Sequence, residues 1–345
     1  MTDTAENRTS SPKRIRNIAE LAAIAGVSAG TVSRALANKA VVNAKTRDRI
    51  QALAREHGFR VNQMASKLRR QETGVIAVVI PLGHDRRQHI SDPFFMALLG
   101  ALADELTERG FDLMLSRAIP QDDPAWLERI VSSGMVDGVL MIGQSDQFET
   151  IEEIAADYRP LVAWGSHREG QVHCSVGTDN RAGGQLAAEF LIGKGRSNLL
   201  FLGDTTGIEI EERYRGAAAL VADHGLGDLR KLPVHLSMEE MSDELTAILA
   251  ALEQGVDGII AASDTIATVA IRLLHHRGIK VPDDVSVIGF DDLPLASHTV
   301  PQLTTIRQNI VGGAAEMVER LMQRLRGAEA DALVMSPELI VRASA

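Results

Sequence analysis

The stretch NIAELAAIAGVSAGTVSR, residues 17–34, has the pattern of two short helices joined by a tight turn. Asn17 can cap the first helix, and Glu20 stands three residues later, where the acidic partner of a capping box belongs. Gly26 ends this helix, because glycine adopts a left-handed backbone without steric cost. Ser28 can cap the second helix. The pattern predicts a helix-turn-helix, with an ordinary pair of helices in a helical domain as the alternative.

The flanking segments extend this pattern into a small all-α head, which we place at residues 15–61. Asn43 can cap a third helix, and Gly58 can close it. The preceding residues, 1–14, are polar, and we expect them to form a disordered basic arm.

Residues 62–73 have the pattern of a hinge helix or linker. Asn62, Ala65 and Leu68 recur at helical spacing, but the segment is too short to hold as an isolated helix in water. We interpret it as a helix that orders when two copies of the chain meet on DNA. Leu68 would then be an apolar wedge in the minor groove, with Arg69 near the phosphates. A solvated basic linker is the alternative.

The charge of the chain is divided unevenly. The formal net charge is −10, yet residues 1–73 hold 14 Lys and Arg against 6 Asp and Glu. The remaining residues hold 22 basic against 40 acidic side chains. A basic head on an acidic body concentrates affinity for phosphate at one end of the chain.

Cysteine usage and hydropathy indicate the compartment. Cys174 is the only cysteine, so an intrachain disulfide cannot form, which is typical of a reducing cytosol. The beginning of the sequence lacks the apolar core of a signal peptide, and no apolar run reaches membrane-spanning length. We expect a cytoplasmic protein that associates with the nucleoid when bound to DNA.

From Gly74 onward, strand and helix patterns alternate. The apolar run at 75–80 ends at Pro81, as is typical of a buried parallel strand. The sequence predicts further strands at 111–115, 136–142, 160–163, 198–203, 231–235, 256–261 and 285–289. It predicts helices at 94–109, 124–133, 149–157, 181–192, 211–224, 239–253, 265–277 and 309–326. This alternation predicts an α/β body, residues 74–345, with doubly wound parallel sheets.

An internal echo indicates two lobes within the body. Residues 136–140 and 256–260 read VDGVL and VDGII, and each opens a predicted strand. We place the N-lobe at about 74–176 and 308–336, and the C-lobe at about 177–307 and 337–345. A ligand cleft is expected between the carboxyl ends of their strands.

In their order and spacing, several motifs resemble those of the LacI/GalR family of bacterial transcription regulators, over nearly the full length after residue 16. They are AGVSAGTVSRAL (25–36), NQMASKL (62–68), SDPFF (91–95), GTDNRAGGQLAAEFL (177–191), RYRG (213–216), VPDDVSVIGFDD (281–292) and PQLTTIRQ (301–308). The resemblance implies a homodimer whose helix-turn-helix heads bind a pseudo-palindromic operator in double-stranded DNA. It also implies a two-lobed, type I periplasmic-binding-protein-like body that holds a small effector.

The resemblance also implies which head residues contact DNA. Ala29, Gly30 and Arg34 match recognition-helix positions that face bases, and an arginine there can donate two hydrogen bonds to guanine. Because Ala29 and Gly30 offer little for readout, DNA deformability must supply more of the specificity. Candidates for phosphate contacts, with local backbone hydrogen bonding as the alternative for the hydroxyl groups, are Ser28, Thr31, Ser33 and Asn38. Relatives usually have proline where this chain has Val61.

The effector positions carry over in the same way. An aromatic ring packs on the apolar face of a sugar, while arginine and aspartate bind its hydroxyl groups. Core packing is the alternative for the aromatic residues. The residues at matching positions are Phe94, Phe95, Trp164, Arg213 and Asp291, with Ser91 and Asp264 as additional candidates. Many sugar-binding relatives have aspartate near position 164, so the tryptophan leaves the effector open, including a sugar larger than a monosaccharide.

Catalytic motifs do not stand out. Residues 193–197, GKGRS, precede a predicted strand and lack the upstream glycine of a phosphate loop, so we interpret them as a turn. We find no nucleophile elbow, no paired-carboxylate site and no metal-binding histidine spacing. We therefore expect no enzymatic activity, no cofactor and no metal.

Two other function classes fit the sequence less well. A sugar-binding receptor would need an export signal, and an enzyme would need a catalytic constellation. The sequence instead favours a transcription regulator, and the family resemblance points to a repressor of carbohydrate-utilisation genes. A small effector, expected to be a sugar, would control its operator affinity. Whether the effector releases DNA or promotes binding stays open.

Overall fold

The computed structural model describes residues 15, 17–39, 41–59, 72–82, 90–120, 122–144, 146–234, 248, 250, 252 and 254–345. The chain divides into two compact units, Met1–Thr73 and Gly74–Ala345. Several predictions lie outside the described residues: the arm at 1–14, the hinge positions Asn62, Ala65, Leu68 and Arg69, and most of the helix at 239–253.

The first unit contains the predicted helix-turn-helix and third helix: α1 (Ile18–Ala25), α2 (Ala29–Leu36) and α3 (Ala44–Glu56). The predicted caps of α1 and α2 are confirmed. The backbone N–H of Glu20 donates to Oδ1 of Asn17 at 2.9 Å, and that of Thr31 donates to Oγ of Ser28 at 3.2 Å. Gly26 has φ of 64°, the left-handed conformation expected at the turn.

The head is held together by a small apolar core and by two bonds from α3. Buried residues from all three helices form the core, among them Leu21, Val32 and Ile50. Arg49 donates to the carbonyl of Ala25 at 2.8 Å, and Gln51 donates to the carbonyl of Ala35 at 3.2 Å. These carbonyls lie at the carboxyl ends of α1 and α2, where helix geometry leaves acceptors without partners. The third helix therefore fixes the angle between the other two.

The second unit alternates helices and strands. Its described helices are α4 (Pro93–Glu108), α5 (Trp126–Val131), α6 (Phe148–Asp157), α7 (Asn180–Gly193), α8 (Ile208–Asp223), α9 (Asp264–His276) and α10 (Ile310–Leu325). Its strands are β1 (Val75–Pro81), β2 (Asp112–Ala118), β3 (Gly138–Ile142), β4 (Leu161–Trp164), β5 (Cys174–Thr178), β6 (Leu199–Leu202), β7 (Arg230–Leu232), β8 (Gly258–Ala261), β9 (Ser286–Asp291), β10 (Thr304–Arg307), β11 (Leu333–Met335) and β12 (Glu338–Ile340).

Two separate sheets give the body its two lobes. The first sheet has the order β11-β5-β4-β3-β1-β2 and is parallel throughout the described residues. The second has the order β12-β10-β9-β8-β6-β7, and β12 runs antiparallel to β10. The chain passes between the sheets after β5, after β10 and after β11. The expected two-lobed α/β architecture is confirmed.

Both faces of the first sheet are covered, which explains its continuous apolar strands. Along β1, Ile76, Val78 and Ile80 pack with α4 and α10 on one face. Ala77 and Val79 pack with α5 and α6 on the other face. Among the described residues, no helix combines the length and the apolar character needed to cross a bilayer.

Four short strands were not predicted from the sequence: β5, β10, β11 and β12. β5 reads CSVGT and β10 reads TTIR, so neither has a long apolar run or a clean alternation. β11 and β12 contain only three residues each. Their neighbours in the sheets, rather than their own composition, make these segments strands.

Candidate functional site

The second helix of the head presents a small polar face to solvent. Ser28, Ala29, Gly30, Arg34 and Asn38 are exposed, whereas Thr31 and Ser33 are half-buried. Val32 and Ala35, on the opposite side of α2, are buried in the head core. The predicted DNA-contact residues on α2 therefore lie on the side of the helix that faces away from the head core.

Two of these residues also hold the ends of α2. The hydroxyl groups of Ser28 and Thr31 lie 2.9 Å apart, in addition to the cap bond of Ser28. Asn38 has φ of 54°, and the N–H of Lys39 donates to the carbonyl of Arg34 at 3.0 Å. Asparagine tolerates this left-handed conformation better than most residues. Ser28 and Asn38 thus have structural roles at the helix ends besides any contact to phosphate.

The Arg34 side chain folds back along α2. A methyl group added at Gly30 would lie 3.5 Å from Nη1 of Arg34. The guanidinium therefore covers the surface that the glycine leaves open. To reach a base edge, the side chain must extend away from this position, which its exposure permits.

A cavity lies between the two lobes, at the carboxyl ends of the strands. Pro81, Ile142 and Trp164 end β1, β3 and β4 on the N-lobe side, and Asp291 ends β9 on the C-lobe side. The volume of about 110 Å³ is several times the roughly 10–15 Å³ that one water molecule requires. A small organic molecule therefore fits at this place.

Aromatic side chains form the N-lobe wall of the cavity. The rings of Phe94 and Trp164 meet edge to face, with centroids 5.9 Å apart, and Phe94 meets Phe95 in the same way at 6.1 Å. Trp164 belongs to the N-lobe core and also lines the cavity, so its core and ligand roles do not exclude each other. The strand predicted at 160–163 would make Trp164 the first residue after it. In the structure Trp164 is instead the last residue of β4.

Arg213 forms the base of the C-lobe side. It is positioned by a close crossing of α7 and α8, where Gly184 lies against the carbonyl of Arg213 and Gly216 against that of Arg181, without room for a Cβ. Its Nε donates to Oδ1 of Asn180 at 2.8 Å, and its Nη1 donates to the carbonyl of Ala262 at 2.5 Å. Burial lowers the pKa of this guanidinium, while nearby carboxyl groups act in the opposite direction.

Asp291 lies beside Arg213 in a strained turn. Its φ is 115°, and Oδ1 accepts a hydrogen bond from Nε2 of Gln308 at 2.7 Å. Burial raises the pKa of Asp291 well above its ordinary value, and Arg213 partly opposes this shift. The next residue, Asp292, accepts from Arg307 at 2.8 Å and from Arg342 at 2.6 Å. These two ion pairs hold the turn that directs Asp291 toward the cavity.

Two predicted effector residues are not among the residues that line the cavity. Ser91 is exposed at the start of the SDPFF motif. Asp264 is buried beneath the site, where it accepts from Thr305 Oγ1 at 2.5 Å and from the N–H of Leu293 at 2.7 Å. Burial raises the pKa of Asp264 to about 7. The structure therefore brings together Phe94, Phe95, Trp164, Arg213 and Asp291, and not Ser91 or Asp264.

Two further carboxyl groups line the cavity, and neither was predicted from the sequence: Asp92 and Glu209. Asp92 caps α4 through a bond from the N–H of Phe94 at 2.9 Å. Glu209 stands in the first turn of α8, four residues before Arg213. Burial raises the pKa of both groups. The signal in the sequence was an acidic residue at each helix start.

Among the described residues, no group of three or more possible ligands could hold a metal ion.

Two family models match the chain. The model described as bacterial regulatory proteins, lacI family, matches residues 17–62, and that of the periplasmic binding protein-like domain matches residues 188–345. A curated relative, the HTH-type transcriptional regulator AglR of Rhizobium meliloti (strain 1021), is 31% identical over 342 residues. That alignment covers 95% of this chain and 94% of the relative.

Solved structures share this fold. A transcriptional regulator CelR–cellobiose complex superimposes with a TM-score of 0.68 at 26% identity, covering 96% of this chain and 100% of that one. The lac repressor dimer bound to operator and the anti-inducer ONPF gives a TM-score of 0.83 at 21% identity. That match covers 96% of this chain and 99% of the repressor chain, and it supports the fold.

Proposed function

The chain belongs to the LacI family of bacterial regulatory proteins, and on that premise we propose that it is a repressor of carbohydrate-utilisation genes. A small effector, most simply a sugar, binds between the lobes and controls the affinity of the heads for a pseudo-palindromic operator. The observation that carries this proposal is the cavity, in which an aromatic wall faces an arginine and an aspartate. This combination suits a ring with one apolar face and hydroxyl groups at its edge.

The similarity to CelR supports a sugar as the effector class, because the related complex contains cellobiose. This similarity does not show that cellobiose itself is the effector of this chain. The residues proposed to bind the effector are Phe94, Phe95, Trp164, Arg213 and Asp291.

The mechanism that we propose is a shift between two conformations of the body. Because the cavity is lined from both lobes, a ligand there makes more contacts when the lobes are close together, so it favours the closed form. A change in lobe spacing would alter the hinge at 62–73 and therefore the operator affinity of the head at 15–61. A coupling of about 1–3 kcal/mol, typical of such systems, would change operator affinity by roughly 5- to 150-fold. We propose that the effector lowers this affinity.

Three further properties belong to the proposal. The chain acts as a homodimer, because a pseudo-palindromic operator requires two heads related by a two-fold axis. It works in the cytoplasm, where it associates with the nucleoid when bound to DNA. It has no enzymatic activity.

Replacing Arg34 tests the proposed DNA-contact face. We expect Arg34→Ala to weaken binding to the operator by about 5- to 150-fold, the loss of roughly 1–3 kcal/mol of base discrimination. Affinity for unrelated DNA should fall much less, because phosphate contacts remain. Fluorescence anisotropy at fixed salt, with full-length protein and both DNA sequences, measures the two affinities.

The matched control for this experiment is Arg55→Ala, which removes the same charge from an exposed position on α3. It should leave the ratio of operator to unrelated-DNA affinity unchanged. An unchanged ratio in Arg34→Ala as well would show that α2 does not read the sequence.

The two tryptophans allow a direct test of the cavity. Trp164 lines it, whereas Trp126 is buried in a separate cluster and donates to Gln147 at 3.3 Å. A sugar that binds should change the intrinsic fluorescence of the wild type and of Trp126→Phe, because Trp164 reports the contact. Trp164→Phe should lose the fluorescence change and bind more weakly by calorimetry. Retention of full affinity in Trp164→Phe would place the ligand elsewhere.

A further inference from the structure

We propose that the cavity selects effectors that present hydrogen-bond donors and carry no anionic group, and that Glu209 enforces this selection. Neutral polyols and amino sugars would enter, whereas phosphorylated and carboxylated sugars would be rejected. The inference rests on the proposed function of the cavity as the effector site. It narrows that function to one charge class of ligand.

The first observation is the balance of ionisable groups. Among the described residues that line the cavity, three carry carboxyl groups, Asp92, Glu209 and Asp291, and Arg213 alone is basic. An anionic ligand would lie close to these carboxyl groups with little water between them. Burial raises the pKa of all three groups, so an anion is opposed by those that are ionised at the working pH, and its rejection should weaken as pH falls.

The second observation is that Arg213 is already committed to the protein. Its Nε and Nη1 donate to Asn180 and Ala262, and its guanidinium carbon lies 3.7 Å from the ring centroid of Phe290. Strong recognition of phosphate or carboxylate by arginine uses two parallel N–H groups of the fork. Because Nε has a single hydrogen and donates it to Asn180, the fork that pairs Nε with Nη2 is not available to an anion.

The third observation concerns the helices that begin at the cavity. Helix N-termini are the usual anion sites of a protein, because their backbone N–H groups lack partners. Among the described residues, α4, α8 and α9 begin here, and each start carries an oxygen of the chain itself. Asp92 caps α4, Ser263 caps α9 through a bond from Ile266 at 3.2 Å, and Glu209 occupies the first turn of α8. At α4 and α9 one backbone N–H is therefore already satisfied, and at α8, whose start has no side-chain cap, an acidic side chain stands in the first turn.

Glu209 also provides the positive part of the selection. Backbone N–H groups of Gln144 and Ser166 act on its carboxyl group, while its Oε1 is buried and has no hydrogen-bond partner among the described residues. The oxygen lies against Gly165 of the N-lobe, so close that a Cβ there would overlap it. Glu209 therefore reaches from the C-lobe to the N-lobe at the edge of the cavity. A hydroxyl or ammonium group can donate to this oxygen, whereas an ionised phosphate or carboxylate offers only acceptors.

The test is isothermal titration calorimetry on the full-length protein without DNA, using matched sets of sugars. Each set contains a neutral sugar (glucose, galactose, mannose or cellobiose), its amino derivative, its 6-phosphate and its uronic acid. We expect at least one neutral or amino sugar to bind. Its phosphate and uronate should bind at least tenfold more weakly, or not at all.

Glu209→Gln keeps the shape of the side chain but removes the charge. We expect it to narrow the ratio of neutral-sugar affinity to phosphate or uronate affinity at least tenfold relative to the wild type. Glu211→Gln is the matched control, since Glu211 is in the same helical turn and pairs with Arg215 at 2.8 Å outside the cavity. It should preserve the rejection of anions.

Several results would overturn the inference. They are tighter binding of a phosphate or uronate than of its neutral parent, unchanged rejection of anions in Glu209→Gln, and no binding by any member of the sets. An anionic sugar that binds and releases operator would leave the proposed repressor function intact. A neutral sugar that binds without altering operator affinity would instead contradict the repressor function and leave the charge selection standing.

Discussion

At the scale of residues, two buried carboxyl groups of the body carry a free-energy cost of desolvation that their hydrogen bonds only partly offset. Asp264 and Asp291 both have raised pKa values because burial disfavours their charged forms. Asp264 receives two hydrogen bonds, and Asp291 lies beside Arg213. Because these two carboxyl groups bind protons more readily in the folded protein than in the unfolded chain, the stability of the C-lobe depends on pH.

The sign of this linkage gives a prediction for Asp264. Its pKa rises from the ordinary value near 3.8 to about 7 on folding. Between these pH values the folded state holds more protons than the unfolded state, so the contribution of Asp264 to stability falls as pH rises. Asp264→Asn removes the titration. The melting temperature of the variant, relative to wild type, should therefore be higher at pH 8 than at pH 5.

The control is Asp283→Asn, which alters an exposed carboxylate in the same lobe. Differential scanning calorimetry of the three proteins at both pH values measures the effect. An offset between Asp264→Asn and wild type that does not change with pH would contradict the assignment of the titration to Asp264.

At the scale of elements, the parts that could be predicted are those that depend on local signals. Asn17, Gly26 and Ser28 set the ends of α1 and α2 through backbone chemistry within three residues, and these ends are confirmed. The long apolar strands carry their own signal too. Strands such as β5 and β12 are defined by partners distant in sequence, so local composition could not reveal them.

The same distinction applies to the candidate site. Trp164, Arg213 and Asp291 could be proposed because motif positions carry them, and the structure brings them together. Asp92 and Glu209 were not proposed, although Asp92 belongs to the motif at 91–95, because an acidic residue at the start of a helix is ordinary in itself. Only the meeting of three helix starts in space gives these carboxyl groups a role at the cavity.

The cap of α2 gives a prediction at this scale. Ser28→Ala removes the side-chain acceptor of the Thr31 N–H, which keeps the carbonyl of residue 28 at 2.9 Å, and should destabilise α2 by about 0.5–2 kcal/mol. Hydrogen exchange measured by mass spectrometry on full-length protein should show faster exchange in the peptide that contains α2. Ser33→Ala, in the middle of the same helix, is the control and should not accelerate exchange. Equal protection in wild type and Ser28→Ala would show that the cap contributes little.

At the scale of the whole molecule, the function depends on communication between two units that the sequence also distinguishes by charge. The basic residues concentrate in 1–73, and the cavity lies within Gly74–Ala345. Within the body, the chain passes between the two sheets repeatedly, so a ligand that draws the lobes together acts on all of these connections at once. If the proposed function is correct, effector binding and operator binding influence each other reciprocally.

The measurement that tests this account most directly is operator affinity as a function of effector. Full-length protein would be titrated against DNA from its own promoter region by anisotropy at fixed salt, with and without each neutral sugar, for wild type and Asp291→Asn. We predict specific binding that one sugar weakens by about 5- to 150-fold in the wild type. The sugar should have much less effect on the operator affinity of Asp291→Asn. Without sugar, this variant should bind the operator as tightly as the wild type does. Specific binding that is indifferent to every sugar, or equally sensitive in both proteins, would contradict the account.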